Sequence, residues 1–177
     1  MNITIVTNLQ EDIKGLAAVY CNVHHPSNPE HHLEIMEERI QKHAGYPGFK
    51  AVKAVDEGGS IVGMAYGYTS VPGQFYRSRL EPLLSEEERY KWLESCFEFV
   101  ELAVDPPFRR QRVGSGLHDA LLNGLPHDAS VLTTERANYP AKRLYKSRGW
   151  VGIKDAIKPI ESAPVLTLMG HNQLSRF

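Results

Sequence analysis

The sequence predicts a mixed α/β (α+β) fold in a single domain spanning residues 1–177. Three observations carry that expectation. Apolar runs with strand character alternate with segments whose apolar residues recur every three or four positions, in the order βααββ and then βαβαββ. A chain of 177 residues is long enough for one sizeable core and needs no second. Gly114 and Gly116 open an amphipathic stretch just after an apolar run that Pro106 and Pro107 close, which marks a strand handing over to a helix.

Ile3 and Ile5 mark a short first strand, after which Thr7 or Asn8 starts a helix buried along Ile13, Leu16, Ala17 and Tyr20. Residues 21–29 read as a loop punctuated by Pro26 and Pro29. Pro29 sits near the first turn of a second helix with Leu33, Met36 and Ile40 on one side, stopped by Gly45-Tyr46-Pro47-Gly48. Residues 49–56 and 61–71 form a hairpin about Glu57-Gly58-Gly59-Ser60. The stretch 72–95 is irregular, but Ser85-Glu86-Glu87-Glu88 has capping-box spacing and predicts a short helix over 86–94. A strand over 97–104 comes next, then a helix over about 112–123 that buries Val113, Leu117, Ala120 and Leu121. Residues 130–135 form a strand and 140–147 a short helix stopped by Gly149; strands over 150–153 and 164–169 close the sheet.

A formal charge of −1 gives no support for a general nucleic-acid or membrane-surface binder. The one dense basic cluster, Arg109, Arg110 and Arg112, falls within a single loop. Cys21 and Cys96 stand far apart and make neither a disulfide framework nor a zinc set. No apolar run approaches bilayer length, and the first residues lack the basic start and apolar stretch of a signal peptide. The expectation is a reduced, cytoplasmic protein with no membrane and no nucleic-acid partner. His24-His25 and His31-His32 raise the question of a metal. Adjacent histidines diverge on a helix, and no cysteine or carboxylate stands beside them at ligand spacing, so no metal is expected. His118 and His127 are expected as polar surface on or just after the third helix, and Cys96 as buried rather than nucleophilic.

The chemistry concentrates in Val104-Asp105-Pro106-Pro107-Phe108-Arg109-Arg110-Gln111-Arg112-Val113-Gly114-Ser115-Gly116. Backbone amides at a helix start, with no Cβ to block approach and arginines alongside, form a receptor for phosphate oxygens. Neither the P-loop spacing nor the dinucleotide fingerprint is present. The spacing Gln-x-x-Gly-x-Gly after a strand resembles the pyrophosphate loop of the GNAT superfamily of acyl-coenzyme A-dependent N-acyltransferases. Asn138-Tyr139-Pro140-Ala141 through Leu144-Tyr145 to Gly149-Trp150 is similar to a second pattern of that superfamily, and Glu98 to Val104 lies where its strand before the loop is expected. The likeness covers roughly residues 97–153 strongly and the remainder in element order.

The resemblance implies a single GNAT-fold domain: a central mixed sheet flanked by helices, its fourth and fifth strands, here 97–104 and 130–135, splayed apart. It implies acetyl-CoA as co-substrate. The pantetheine arm would pair with the backbone of Leu102, Ala103 and Val104 like an added strand. The pyrophosphate would rest on the amides of Gln111, Val113, Gly114, Ser115 and Gly116, with Arg110 and Arg112 giving charge and Arg109 contributing least. Asn138 would hydrogen-bond the pantetheine arm. Tyr145, which also adjoins the cofactor, would protonate the departing thiolate; its alternative is packing against the sheet.

A protonated amine cannot attack, so a base is needed. Glu98 and Glu101 stand on opposite faces of their strand. Glu98 matches the position of the catalytic glutamate in histone-type members, while Glu101 sits nearer the splayed end. On an apolar strand either carboxyl has its pKa raised toward useful strength; the alternatives are an ion pair for each, or deprotonation through water. The reaction implied is N-acetyl transfer to a small-molecule amine or peptide acceptor; the sequence does not give the oligomeric state, although homodimers are common among similar proteins. Two rivals stand beside it. One is a catalytically silent acyl-CoA-binding module serving as sensor or subunit. The other is a nucleotide-phosphate or nucleic-acid binder, weakened by the near-neutral charge and the missing Walker lysine. Residues 72–95, with Phe75, Tyr76, Arg77, Arg79 and Trp92, are expected to line the acceptor site or to pack as scaffold.

Overall fold

The computed structural model of the protein describes residues 1–24, 27–162, 164–172 and Leu174; His25 and Pro26 of the predicted loop lie outside the described residues. The elements run β1 (Asn2–Ile5), α1 (Leu9–His24), α2 (Pro29–Ala44), β2 (Lys50–Val55), β3 (Ile61–Thr69), α3 (Arg77–Leu80) and α4 (Glu86–Leu93). They continue with β4 (Cys96–Val104), α5 (Val113–Leu122), β5 (Ala129–Glu135), α6 (Tyr139–Ser147), β6 (Val151–Ile157) and β7 (Leu166–His171). The strands form one mixed sheet in the order β1-β2-β3-β4-β5-β7-β6, with β4 and β5 parallel. Two compact units divide the chain: Met1–Tyr68 with Val100–Asn123, and Thr69–Phe99 with the chain from Gly124 onward. Strand β4 therefore supplies its first half to the second unit and its second half to the first.

In the first unit, β1, β2 and β3 pair antiparallel. Helices α1 and α2 bury Ile13, Leu16, Ala17, Val19, Met36 and Ile40 against Ala51, Met64, Tyr66 and Ala103. Asn28 caps α2 by accepting from the His31 N–H, with Pro29 in the first turn. Helix α1 runs on to His24, through the start of the stretch expected as loop. Cys21 is buried there and Val23 packs on the core, and that burial extends the helix by a turn. Helix α5 approaches the sheet through a glycine: a Cβ on Gly63 would lie 3.0 Å from Leu117 Cδ1 and 3.3 Å from Val113 Cγ1. Lys50 Nζ donates to the Ala120 and Asn123 carbonyls at 2.9 and 2.7 Å, placing a cation on the negative end of α5. Two expectations for α5 are corrected. Ala120 is half-buried, and His118, expected at the surface, is 0% exposed, with Nδ1 2.7 Å from Asp119.

In the second unit, Leu80, Leu84, Trp92, Leu93, Cys96, Ala129, Val131, Ile157 and Leu168 form the core. Ser85 and Glu88 make both halves of the predicted capping box. The Trp92 ring packs close on β7 because position 170 is glycine: a Cβ there would stand 2.5 Å from two ring carbons. Strand β6 extends to Ile157, beyond the expected 150–153. Its register shifts twice and Ala156 has φ 56°, so it is a bulged edge strand whose Lys154 and Asp155 pair with Glu88 and Arg136. Those polar residues hid it from an alternation pattern.

Candidate active site

Strand β4 carries the first part of the site. It pairs in parallel with β5 over three positions, Cys96↔Ala129, Phe97↔Ser130 and Glu98↔Val131, and among the described residues the ladder runs no further. On its other side, the Ser70 N–H donates to the Cys96 carbonyl and the Asp105 N–H to the Val62 carbonyl, both at 2.9 Å. Nine steps from Cys96 to Asp105 thus face eight from Val62 to Ser70, so β4 carries one extra residue, a bulge. Since the Asp105 N–H points to β3, alternation turns the backbone groups of Val104 and Leu102 away from β3 and those of Ala103 toward it. Ala103 is also a buried core residue, so among the three expected cofactor contacts it stands apart from its neighbours.

The loop after β4 is held by its own side chains. Arg109 Nε donates to the Val104 carbonyl at 3.0 Å, and Gln111 Nε2 to the Pro107 carbonyl at 3.1 Å. Arg109 is therefore a strut, and one lone pair of Val104 is already taken. Arg110 and Arg112 both adopt left-handed backbone, φ 62° and 65°. Each costs a non-glycine residue roughly 1–2 kcal/mol, and such strain collects where a loop is shaped for a ligand. Arg112 is the residue before α5 and makes no side-chain cap. The N–H groups of Val113, Gly114 and Ser115 at the first turn thus have no helical partner by construction. The Gly116 N–H donates to the Arg112 carbonyl at 3.0 Å and is spent. Gly116 has a packing reason to be glycine, because a Cβ there would meet Ile3 Cδ1 at 2.5 Å. Within the first turn the amides without a helical partner therefore end at Ser115.

Glu98 is 4% exposed, and Ser70 Oγ donates toward its Oε2 at 3.4 Å. Its charge adds to burial in lifting the neighbouring Cys96 thiol to about 12, so Cys96 is buried and unreactive. Glu101 is half-buried in the first unit, with His24 Nε2 3.9 Å from its Oε1.

Tyr145 is 7% exposed, between Phe99 at 6.1 Å and Trp150 at 5.7 Å. The glycine-aromatic end of its motif has a visible cause. Gly149 has φ 86°, and a Cβ on it would lie 3.2 Å from His171 Nε2, which itself donates to the Arg148 carbonyl at 2.8 Å. Asn138 caps α6, its Oδ1 accepting from the Ala141 N–H at 3.2 Å. Its expected cofactor contact therefore falls to the amide nitrogen, a donor.

Arg77, offered as an acceptor-binding cation, is 8% exposed and built into the frame. It donates to the Ser70 and Leu93 carbonyls at 3.1 and 2.6 Å and to Glu81 at 2.7 Å. Gln74 likewise ties the Val71 N–H to the Thr69 carbonyl. Trp92 and Leu93 are core, while Phe75 is 53% exposed under the Arg79 guanidinium. His127 is half-buried on Phe97, with Nε2 2.9 Å from Thr69 Oγ1, and burial lowers its pKa. Two features had no signal in the sequence: the left-handed arginines, and the approach of Tyr76 to Thr133 at 2.6 Å. Among the described residues, no group of three or more His, Cys, Asp or Glu could hold a metal ion, and no helix is long and apolar enough to cross a membrane.

A short parallel ladder, a bulged strand and an uncapped helix start are the local features of an acyltransferase-type mixed α/β fold. The model of the acetyltransferase (GNAT) family matches residues 16–150, and the chain belongs to that family. It is 27% identical over 103 residues to a GCN5-like protein acetyltransferase of Mycobacterium tuberculosis, covering 55% of this chain and about half the length (50%) of that relative. Among solved structures it is similar to the ribosomal-protein-S18-alanine N-acetyltransferase of Escherichia coli, with TM-score 0.64, 16% identity and coverage of 96% and 92% of the two chains. A phosphinothricin acetyltransferase of Sinorhizobium meliloti in complex with AcCoA gives TM-score 0.62 and 15% identity over 97% and 88%.

Proposed function

We propose that the protein transfers an acetyl group from acetyl-CoA directly to a primary amine of a small molecule or peptide. The observation that carries this reading is the entrance to α5. Unpartnered first-turn amides, two exposed arginines in strained left-handed backbone and a glycine at position 114 suit a diphosphate. The outward backbone groups of Leu102 and Val104 suit the amides of a pantetheine arm, with Asn138 adding a donor. An amide among these residues polarises the thioester carbonyl in this reading and stabilises the oxyanion that forms on attack.

Glu98, or Glu101 in its place, removes a proton from the acceptor ammonium. The amine then attacks the thioester carbon, the nitrogen gives up its second proton to solvent, and the tetrahedral intermediate expels the thiolate, which Tyr145 protonates before regaining a proton from solvent. The names of the relatives and neighbours span protein, ribosomal-protein-alanine and phosphinothricin acceptors, which supports an amine and leaves its carrier open. We infer a cytoplasmic homodimer.

The test pairs acetyl-CoA calorimetry, with ATP as competitor, with thiol release from acetyl-CoA across a panel of amines. A folded Gly114→Val variant, checked by circular dichroism, is expected to lose coenzyme A affinity. Unchanged affinity in that variant sinks the reading, and tight binding with no turnover on any amine favours the silent module instead.

A further inference from the structure

The second unit brings Glu98, Ser70, Tyr76 and Thr133 together, although they are scattered over four stretches of sequence. Glu98↔Val131 is the last rung of the β4–β5 ladder. Register partners share a face, and so do residues two apart on a strand, so Glu98, Val131 and Thr133 lie on one side of the sheet at the end of that ladder. Tyr76 reaches that side from the chain before α3. Its ring packs against the core of Leu80, Trp92, Cys96 and Val131, and its Oη lies 2.6 Å from Thr133 Oγ1. Ser70 Oγ donates toward Glu98 from the flank. Burial pushes the Tyr76 phenol above its ordinary pKa, the hydrogen bond with Thr133 works against that rise, and the Glu98 charge adds a smaller push upward, so the phenol is neutral at neutral pH. The nearby guanidinium of Arg77 is engaged by the Ser70 and Leu93 carbonyls and by Glu81.

A carboxylate, a phenol and two hydroxyls on one partly buried face offer acceptor oxygens in the number that an ammonium group, with three N–H donors, requires. Either hydroxyl can donate in the Tyr76–Thr133 contact, and each oxygen keeps a lone pair beyond it. We propose that these residues form the subsite for the acceptor's ammonium group, with the Tyr76–Thr133 pair selecting a primary ammonium over an uncharged nucleophile. This rests on the amine-acetylation reading above. The bound R–NH3+ gives one proton to Glu98, leaving R–NH2 and a carboxylic acid. The nitrogen lone pair then forms the N–C bond as the carbonyl electron pair moves onto oxygen; the nitrogen gives its second proton to solvent, collapse of the tetrahedral intermediate breaks the C–S bond, and the thiolate takes its proton from Tyr145, which regains one from solvent.

The test uses the full chain with Tyr76→Phe and Thr133→Val, each removing one oxygen at nearly constant shape, and with thermal unfolding as a control. Two probes are compared by thiol release: n-butylammonium, and hydroxylamine, which is uncharged at neutral pH. Tyr76→Phe is expected to raise the butylammonium KM roughly ten- to a hundredfold, the loss of a hydrogen bond to a charged group. Thr133→Val shifts it in the same direction by less. Hydroxylamine kinetics and acetyl-CoA affinity stay as in the wild type. Equal losses on both nucleophiles, no loss on butylammonium, or a wild type that binds acetyl-CoA but does not use butylammonium would overturn the subsite alone. A wild type that fails to bind acetyl-CoA overturns the transfer reading and the subsite with it.

Discussion

Arg112 offers a way to separate what a backbone conformation costs from what a charge contributes. Its φ of 65° places a branched-at-Cβ-free but Cβ-bearing residue in the left-handed region, at a cost of roughly 1–2 kcal/mol. Arg112→Ala keeps that strain and removes the guanidinium. Arg112→Gly removes both, but gives back about 0.5–1 kcal/mol through the greater freedom of glycine in the unfolded chain. The glycine variant is therefore expected to be the more stable of the two by about 0.5–1 kcal/mol. For a chain of this size that is a difference in Tm of about 1–4 °C. Glycine is also the better residue at a helix start, so the same pair made at Arg110, φ 62° and outside the cap position, isolates the conformational part. Coenzyme A affinity behaves differently: both Arg112 variants lose the same cation and weaken binding by about two- to fivefold, the worth of one exposed charge contact. Urea or thermal unfolding measures the first effect and calorimetry the second. Alanine variants as stable as the glycine variants at both positions would refute the strain argument. Undiminished affinity would remove Arg112 from the anion receptor.

Tyr145→Phe is expected to lower kcat about tenfold or more while leaving acetyl-CoA affinity intact, because the proton is needed only as the thiolate departs; full activity across the pH range would assign the residue to packing. Glu98→Gln is expected to abolish the acidic limb of the kcat/KM profile with coenzyme A affinity unchanged, and retention of that limb in both the Glu98→Gln and Glu101→Gln variants would route deprotonation through water. Arg77→Met strands the Ser70 and Leu93 carbonyls and is expected to cost about 2–4 kcal/mol in urea unfolding, the penalty for buried groups left unpaired. His43, beside Tyr66 and Tyr68, is held to about 4 by burial and by Arg39 and Lys42. The unfolded chain therefore takes up its proton first. Its contribution to stability is complete above pH 6.5 and is lost as the pH falls toward 4, and His43→Gln should flatten that part of the stability profile.

Much of the molecule was legible without coordinates. Element order, the capping box at Ser85 and the proline-started α2 follow from local rules, because caps and turns satisfy backbone groups within a few residues. The strand-to-helix turn after β4 was legible for the same reason, since its signals are those of one strand end and one helix start. The sequence by itself thus determined the fold class and the family, and it marked Gln111–Gly116 as the stretch on which the proposed cofactor site rests. Tertiary structure decided what depends on residues far apart in the chain. It spent the Gly116 amide inside α5 and set that glycine against Ile3. It buried His118 and turned Arg77 from a ligand-binding cation into a clasp on two carbonyls. It placed Tyr76 against Thr133, fifty-seven residues away. Periodicity reports which side of an element is apolar, but the partner of a polar group is chosen by packing, and packing is settled only when the strands and helices meet.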